Sequence, residues 1–449
     1  MKKTAKIVLF FIISAITIMA FSSCVETDNN STNSSVKGTG TKADPYHIEN
    51  VTQLEDFRKQ TKTENYKNIY FVLDNDIDCG GLELTTVVVF NGNFNGNNHT
   101  IKNFSIASKN YQSTGFFGSV DGIIENLKLD DFKVISSFAE EQYSNCTGGI
   151  AGWNNGTITN CYVNGEITAG GKYGSRVGGI VGYNNGTISS CFSNGSVYSV
   201  CSYNGTDYFP ATGGIAGRNA GTIEKSGADC DIVKCSSVYY GSSGGLVGIN
   251  TGAISECYAT AGVQNDTGDY LFAGGFVGRN QGKIKNCYAQ SAIVCNLNVV
   301  FSHAFQGGFV GRNNDTIENC YAASITTTTT KAYDLYCISQ FCADNVNGAT
   351  IQNSYATGYI DLQYVIGWGE GTPNLENCFI YRNEGSNSGC YILSADKNRP
   401  GETECTHVEL SSIEFYQSVL HWSNSIWNYN NLNTENSIYP TLKNVTTSW

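Results

Sequence analysis

Short apolar segments, each introduced by two glycines and closed by an asparagine, recur six times along the middle of the chain. Each copy reads Gly-Gly, an apolar residue, Val or Ala, Gly, any residue and Asn, and an Ile follows four residues after the Asn. One copy is too short to bury its own apolar side chains, whereas stacked copies bury them against each other. The pattern therefore predicts an all-β, parallel β-helix-like solenoid of about 30-residue repeats. The copies start at Gly148, Gly178, Gly213, Gly244, Gly274 and Gly307.

Each repeated position has an expected place in this stack. The Ile is expected to point inward, and the Asn side chains are expected to bond to one another from rung to rung. A Gly that follows the Asn by two residues in five copies is expected to adopt a left-handed turn conformation. Asp315 takes the place of this Gly in the sixth copy. We expect Asp to be tolerated there because it also adopts that conformation. The five glycines are Gly156, Gly186, Gly221, Gly252 and Gly282.

The N-terminus has the features of an export signal. Lys2, Lys3 and Lys6 precede an apolar run at 7–21, which is shorter than the roughly 20 residues that span a bilayer. Small residues then precede Cys24, and this sequence looks like the lipobox of a bacterial lipoprotein. That resemblance implies a lipid on Cys24 and a surface-exposed location, anchored in the cell outer membrane. The alternative is a soluble secreted protein that is cleaved near the same place.

These observations divide the chain into five expected parts. The polar stretch after Cys24 is typical of a flexible tether. The region before the regular copies reads as a cap, and the copies after Cys320 lose their double glycine, as expected near the end of a repeat array. The parts are a signal peptide (1–23), a tether (24–37), an N-terminal cap with first degenerate rungs (38–147), the repeat solenoid (148–380) and a C-terminal cap (381–449).

Both caps are predicted to contain a short helix. Thr52 to Glu55 reads as a capping box that opens a helix with Leu54 and Phe57 on one side. The segment 115–129 reads as a half-formed first repeat. Near the C-terminus, Ser411 to Glu414 reads as a second capping box, and the aromatic segment after it is expected to plug the open end of the core.

Cysteine usage indicates packing more than cross-linking. The chain has 17 cysteines, and five of them share one repeat position, where neighbouring side chains run parallel about 4.8 Å apart. These five are therefore expected to be buried thiols. Cys390 and Cys405 lie off the repeats and are the first candidates for a disulfide. The next candidates are Cys230 with Cys235, and Cys337 with Cys342.

Charge and composition narrow the range of partners. The formal net charge is −12, and only 15% of residues are charged. Binding to nucleic acid needs clustered Lys and Arg, which the sequence does not have. We therefore expect no nucleic-acid partner. We also expect a monomer, attached to the membrane through its N-terminal lipid.

The repeat unit, with its Cys-Tyr or Cys-Phe ending, resembles the GLUG-motif repeat of bacterial surface and secreted proteins. The segments GTGTKADPYHI and FNGNFNGNNHTI before the repeats, and IYPTLK after them, also look like the flanks of such proteins, as in Bacteroides-like lipoproteins. The resemblance implies a β-solenoid displayed at the cell surface. It implies no established activity, and adhesion is the usual assignment.

The sequence contains little that indicates catalytic chemistry. The five histidines have no metal-ligand spacing, and the G-x-S-x-G around Ser243 falls in a repeat's own glycines rather than in a strand-to-helix turn. Asp74, Asp76 and Asp78 alternate and are a weak candidate for a Ca²⁺ site, although a solvent-facing strand edge explains them as well. We therefore expect that the protein has no enzymatic activity and binds no cofactor and no metal ion. The alternatives are a β-helix carbohydrate-active enzyme and a purely structural envelope protein.

One repeat position is a candidate binding surface. The residue after the third glycine is aromatic or Arg in five of the six copies, and Ile249 occupies it in the other. Flat rings stack on sugars, and guanidinium groups recognise carboxylates. Outward-facing side chains at this position would therefore suit an adhesin that binds a glycan or a host protein. The alternative is a structural role, in which these large side chains cover the glycine-rich turn. We call this set the aromatic–arginine stripe: Trp153, Tyr183, Arg218, Arg279 and Arg312.

Overall fold

The computed structural model shows a parallel β-solenoid, which confirms the predicted fold class. Three sheets run along it, and in the described residues the strands of all three pair in parallel. One rung passes through Asn145–Gly148, Ala151–Asn154, Thr157–Thr159 and Tyr162–Gly171 before the next begins. The described residues are 36–60, 66–109, 112–138, 145–171, 174–202, 210–266, 270–296, 303–328, 336–346, 348–357, 359–361, 374–381, 402–430, 432–433, 438–445.

Two of the sheets take one strand from each rung. The eight-stranded sheet contains Ser113–Thr114, Asn145–Gly148, Ser175–Gly178, Ala211–Gly213, Tyr240–Gly244, Tyr270–Gly274, His303–Gly307 and Tyr336–Ser339. The nine-stranded sheet contains Val87–Phe90, Phe117–Val120, Ala151–Asn154, Val181–Asn184, Ala216–Asn219, Val247–Asn250, Val277–Asn280, Val310–Asn313 and Cys342–Asn345.

The large sheet takes a short and a long strand from each rung. Its short strands are Tyr46–Ile48, Tyr70–Leu73, Asn93–Asn95, Ile123–Glu125, Thr157–Thr159, Thr187–Ser189, Thr222–Glu224, Ala253–Ser255, Lys283–Lys285 and Thr316–Glu318. Its long strands are Ile77–Glu83, Thr100–Ser108, Lys128–Phe138, Tyr162–Gly171, Phe192–Cys201 and Gly227–Ser237. Later rungs contribute Tyr258–Ala259, Gly262–Asp266, Tyr288–Ala289, Ala292–Asn296, Tyr321–Ala322, Ile325–Thr328, Thr350–Ala356, Tyr359–Asp361, Asn374–Tyr381 and Glu402–Cys405.

The repeated Ile and Cys form aligned, buried columns. Each Ile pairs in register with the Ile of the next rung, and all six are at most 1% exposed. The five repeat cysteines are buried free thiols, as predicted. The core therefore consists of side chains whose apolar contacts come from the rungs above and below. The Ile column is Ile158, Ile188, Ile223, Ile254, Ile284 and Ile317.

The predicted left-handed turn at the five repeat glycines is wrong. None of them is among the described residues with positive φ. A Cβ at Gly186 would lie 2.1 Å from the carbonyl oxygen of Gly156, and a Cβ at Gly221 would lie 2.0 Å from that of Gly186. The glycines are therefore required by close stacking along the axis and not by their φ angle. Asp315 also lies outside the positive-φ set, so the explanation given for its tolerance is wrong too.

The left-handed residue of each rung stands elsewhere, directly before the Cys column. Its φ lies between 49° and 56° in every rung from Asn126 to Asn377. Asn occupies most of these positions, in agreement with its tolerance of this conformation. The positions are Asn126, Asn160, Ser190, Lys225, Glu256, Asn286, Asn319, Asn353 and Asn377.

The N-terminal helix α1 spans Val51–Gln60. Leu54 and Phe57 are buried against the core, as predicted. Its capping residue is Asn50 rather than Thr52: the Gln53 amide N–H donates to Asn50 Oδ1 at 3.1 Å, and the Glu49 amide N–H donates to Gln53 Oε1 at 2.7 Å. The helix cap therefore lies two residues earlier than the sequence pattern indicated, and the Gln53 side chain reaches back to the residue before the cap.

The C-terminal segment begins with helix α2, His407–Leu410, followed by a π-helical turn at Phe415–Val419. The capping box that the structure forms here joins Thr406 and Glu409, and it is not the predicted Ser411 to Glu414 box. A short antiparallel pair follows, formed by Trp427–Asn428 and Thr441–Leu442. In the described residues, no helix is both long enough and apolar enough to cross a bilayer.

This aromatic segment packs on the side of the solenoid, on the ring column that follows the Cys column. The Tyr321 hydroxyl donates to Pro440 O at 2.8 Å, and Trp422 Nε1 donates to Asn353 O at 2.9 Å. The Trp422 and Trp427 rings stack at 4.3 Å and form one apolar cluster with the tyrosine column. The prediction that this segment plugs the open end is therefore corrected: it covers a flank.

The first rungs are better formed than expected. The segment 115–129 contributes strands to the nine-stranded and the large sheet, and Ser113–Thr114 just before it joins the eight-stranded sheet, so this rung is complete rather than half-formed. Earlier residues from Tyr46 onward already pair in parallel with the following rungs. The N-terminal region is thus solenoid with one helix, α1, packed against its core.

Candidate functional site

The aromatic–arginine stripe is a continuous column on the nine-stranded sheet. Its residues pair in register from each strand to the next, in the order Trp153, Tyr183, Arg218, Ile249, Arg279 and Arg312. Adjacent members are therefore one strand spacing apart, about 4.8 Å. Ile249 is buried, whereas the five predicted site residues are half-buried. The structure thus brings all five together.

The first half of the stripe is a stack of rings and guanidinium groups. The Trp153 and Tyr183 rings lie 4.3 Å apart. The Arg218 guanidinium lies 5.6 Å from the Tyr183 ring centre, and Arg176, from the eight-stranded sheet, lies 5.1 Å from the same ring. Burial first, and then the nearby positive charge of Arg176, lower the pKa of Arg218. These contacts fix the direction in which the planar groups point.

The second half is more polar. Arg279 lies 5.8 Å from the Phe272 ring, and burial, together with the charge of Arg312, lowers its pKa. Arg312 Nε lies 3.1 Å from a carboxylate oxygen of Asp344, which is only 5% exposed. Asp344 stands on the next strand of the same column. Arg312 is therefore already neutralised, while Arg218 and Arg279 have aromatic neighbours.

The stripe lies in an inner angle between two sheets. A Cβ at Gly182 would lie 2.3 Å from the amide nitrogen of Thr147, and one at Gly217 would lie 2.4 Å from that of Val177. The backbone of the nine-stranded sheet therefore touches the eight-stranded sheet at the third glycine of each repeat. This close approach explains why side chains from both sheets, such as Arg176 and Tyr183, meet at the stripe.

The facing wall carries rings that the sequence analysis did not single out. Tyr240 and Tyr270 stack at 5.0 Å, and Tyr270 and His303 stack at 4.3 Å. Phe272 and Phe305 form a second stack at 5.2 Å. All five stand two or four residues before a double glycine. Counting backwards from each double glycine would have revealed that these rings recur. The loops just before them vary in length, and this variation concealed the recurrence.

The three alternating aspartates each bond to a different partner. Asp74 lies 2.9 Å from His47, Asp76 lies 3.1 Å from His99, and Asp78 accepts from Asn103 at 3.0 Å. A hydrogen bond from the backbone N–H of Thr100 is the main cause that lowers the pKa of Asp76, and one from the backbone N–H of Gly80 lowers the pKa of Asp78 in the same way. In the described part of the chain, no group of three or more His, Cys, Asp or Glu side chains is placed to hold a metal ion.

The predicted covalent sites are only partly within the described residues. Cys24 and Cys390 lie outside them, so lipidation and the Cys390–Cys405 disulfide remain predictions. Cys405 is buried. The secondary pair Cys230 and Cys235 does not form: both are free buried thiols on one extended strand, where successive side chains diverge. Ser243 is completely buried in the eight-stranded sheet.

Comparisons with known proteins agree with the repeat assignment. The GLUG motif family matches residues 143–168. Halomucin of Haloquadratum walsbyi is 28% identical over 155 residues, which is 30% of this chain and 2% of that protein. The chain therefore spans only a small fraction of this relative.

A solved structure is also similar. It is the crystal structure of a Bacteroides ovatus protein provisionally named an immunoglobulin A1 protease, with 19% identity and a TM-score of 0.43. The match covers 91% of this chain and 95% of that one. The family match falls on the copy that begins at Gly148, whose strands repeat in register along the solenoid. The chain therefore carries the GLUG motif, and the recognition of its repeats as GLUG repeats is confirmed.

Proposed function

We propose that the protein is a non-enzymatic, lipid-anchored surface repeat protein that binds an acidic glycan along its aromatic–arginine stripe. The observation that carries this proposal is the register: rings and guanidinium groups from five rungs form one half-buried column. A repeated column suits a repeated ligand, because each rung offers a similar contact at a constant spacing.

The chemistry of the column favours a linear polyanion over a single small molecule. Arg218 and Arg279 are two rungs apart and therefore about 10 Å from each other along the axis. Their planar groups recognise carboxylates, and the rings of Trp153 and Tyr183 stack on sugar faces. Arg312 contributes less, because Asp344 already pairs with it.

The proposal that the protein is not an enzyme has a structural argument. Glycosidases and lyases need two acid–base groups that converge on one bond. The carboxylate that meets the stripe in the described residues is Asp344, which is paired with Arg312. We therefore expect no release of reducing ends from a panel of polysaccharides. Sustained turnover that fails in an Asp344→Asn variant would establish the enzyme instead.

Glycan binding is tested with the purified protein on an array of acidic and neutral glycans. We expect binding to carboxylated or sulfated chains, with at least a tenfold loss in Arg218→Ala and in Arg279→Ala, and a further loss with added salt. Lys283→Ala is the matched control, since Lys283 is an exposed cation on the large sheet. A blank array, or equal binding by the arginine variants and the control, contradicts the proposal.

Anchoring is tested separately by labelling cells with an alkyne fatty acid. The proposal requires Cys24 to carry the label and the protein to fractionate with the outer membrane. Cys24→Ala should lose both the label and the membrane association. A Cys24→Ala protein that still takes up the fatty acid contradicts the lipid assignment and leaves the glycan proposal standing.

A further inference from the structure

A recess opens on the outer face of the large sheet, away from the stripe. Its volume is about 560 Å³, which is within the range of small-ligand sites. It crosses five rungs, from Gly81 to Tyr198. None of its lining residues belongs to the aromatic–arginine stripe or its facing wall.

The recess results from an irregular register. Asn103 and Asp131 are extra residues with positive φ, and pairing passes from Asp130 with Asn164 to Phe132 with Gly165, which leaves Asp131 out. The next two long strands pair without interruption. The strand after them skips a residue again, between Cys230 and Ile232. Two regular strands thus lie between bulged ones, and bulges bend a strand and redirect its side chains.

The floor of the recess is flat and its rim is polar. Gly165 and Gly195 contribute backbone without side chains, beside the nearly buried ring of Phe132. The rim carries the exposed carboxylate of Asp131 and the half-buried ring of Tyr198. The remaining polar groups on the rim are Asn103, Ser105, Lys133, Asn164, Glu166 and Ser196.

The charges on the rim nearly cancel. Lys133 Nζ lies 2.9 Å from a carboxylate oxygen of Glu166, and Asp131 adds one further negative charge. Asn164 donates to Asp130 at 2.9 Å, which holds its amide in one orientation. A polyanion would be repelled here, whereas a neutral ligand rich in hydroxyl groups would find acceptors, donors and a ring.

We propose that this recess binds a short, uncharged oligosaccharide. Hydroxyl groups of the sugar donate to Asp131 and Glu166 and accept from Lys133 and Asn164. The apolar face of a sugar ring packs on Tyr198 and on the glycine floor. The site is independent of the stripe, so the protein would hold two kinds of glycan on two of its faces.

The test titrates the purified protein with neutral trisaccharides, namely cellotriose, maltotriose, xylotriose, mannotriose and triacetylchitotriose, and follows binding by calorimetry and ligand-observed NMR. At least one should bind. Tyr198→Ala should weaken that binding at least tenfold, and Ser196→Trp should abolish it by filling the recess. Val200→Ala is the control, because Val200 is exposed on the same strand but does not line the recess.

Thermal melts establish that each variant folds like the parent. Binding that survives in Ser196→Trp but disappears in Trp153→Ala would place the sugar on the stripe and overturn the proposal. Absence of binding by all five sugars at millimolar concentration would overturn it too. The Arg218→Ala variant should keep full affinity for the trisaccharide, so a failure here is distinct from a failure of acidic-glycan binding.

Discussion

The buried asparagines connect the rungs through their side chains. Each donates its amide N–H to the carbonyl oxygen of the next, over six bonds of 2.7 or 2.8 Å. Most are completely buried. An amide has both a donor and an acceptor, so a column of identical amides can satisfy itself without water. The column is Asn154, Asn184, Asn219, Asn250, Asn280, Asn313 and Asn345.

Asn184→Asp should break this column. A carboxylate cannot donate to Asn219 Oδ1, and it would be buried beside another oxygen. We expect a loss of about 3 kcal/mol in the free energy of unfolding at pH 7, partly recovered at pH 4.5, where the acid can be protonated and donate. Urea titration measures both. Asn185→Asp is the matched control, because Asn185 is exposed in the same turn, and an equal loss there would refute the explanation.

Asp315 shows which hydrogen bond between rungs depends on glycine at this repeat position. In earlier rungs the residue after the glycine donates its N–H to the glycine carbonyl of the preceding rung, as Thr222 does to Gly186 and Lys283 to Gly252. At the sixth copy, Thr316 N–H donates instead to the Asp315 carboxylate at 2.7 Å. The register pairing of this strand begins only at Ile317. One bond between rungs is therefore replaced by a local one.

Asp315→Gly should restore the missing bond to Gly282 and add about 1 kcal/mol to the free energy of unfolding. Asp315→Ala separates the two effects, because it removes the carboxylate but keeps the Cβ that crowds the column. We expect the Ala variant to be no more stable than the parent in a thermal melt. If the two variants shift the melting temperature equally, close stacking is not what selects glycine here.

Several residue positions could be predicted from the sequence, and the reasons differ. The Ile and Cys columns follow from periodicity and hydrophobicity alone. The Asn ladder follows from periodicity and from the ability of stacked amides to bond to one another. The role of Gly156 and its equivalents could not be inferred, because a left-handed φ and a close contact both select glycine. Only the distance to the neighbouring carbonyl distinguishes them.

At the scale of elements, the corner before the Cys column is left-handed in every rung, although Lys225 and Glu256 occupy it in two of them. This conformation strains most L residues by roughly 1–2 kcal/mol, whereas Asn tolerates it. In other rungs the Asn side chains at this corner also bond to each other: Asn319 donates to Asn286 at 3.0 Å. Glu256 interrupts that second ladder next to Asn286.

Glu256→Asn should therefore stabilise the protein by about 0.5–1 kcal/mol. The gain has two sources, relief of the strain at φ 52° and a new acceptor for the Asn286 amide. Glu256→Gln is the control, since Gln has the amide but not the tolerance of Asn for this backbone conformation. Chemical denaturation compares the three proteins. Equal stability of the Asn and Gln variants would show that backbone strain at this corner is not significant.

The helices and the C-terminal segment mark the limit of what the sequence predicts about elements. The capping residues lie two and five positions before the predicted Thr52 and Ser411. Asn50 and Thr406 accept from the backbone N–H groups of Gln53 and Glu409, so each helix begins earlier than the pattern indicated. Rings such as Trp422 and Trp427 bury equally well over an end or a flank. The C-terminal rings pack on the flank because the tyrosine column lies there. Whether that column faces outward depends on the cross-section of the solenoid, which the sequence periodicity does not specify.

At the scale of the whole molecule, the stripe was predictable and its surroundings were not. Alignment of Trp153 with Tyr183 and Arg218 follows from rungs of constant register. The angle between the eight- and nine-stranded sheets does not follow, so the facing rings of Tyr240 and Tyr270 were missed. The recess on the large sheet was missed as well, because it depends on the bulge at Asp131.

Stability should fall at alkaline pH, because the solenoid buries many thiols and phenols. Burial raises the pKa of Cys235 to about 11 and that of Cys230 and Cys295 to about 12. Their ordinary value is 9.0. Tyr258 and Tyr288 are also shifted upward by burial, which raises each pKa well above 10.0. Between pH 9 and about 11 the folded chain keeps the thiol protons while the unfolded chain loses them, and above pH 10 the same holds for the phenols, so unfolding becomes more favourable.

At pH 10 each such thiol should lower the free energy of unfolding by about 1.4 kcal/mol, or about 4 kcal/mol for these three. Arg58 acts in the opposite direction, since burial lowers its pKa to about 9, but one group is outweighed by several. Urea midpoints at pH 7.5 and pH 10, with reductant present, should therefore differ clearly. Cys235→Ala should shrink the difference by one thiol's share, whereas a midpoint that is constant or rises with pH would contradict a core of neutral thiols.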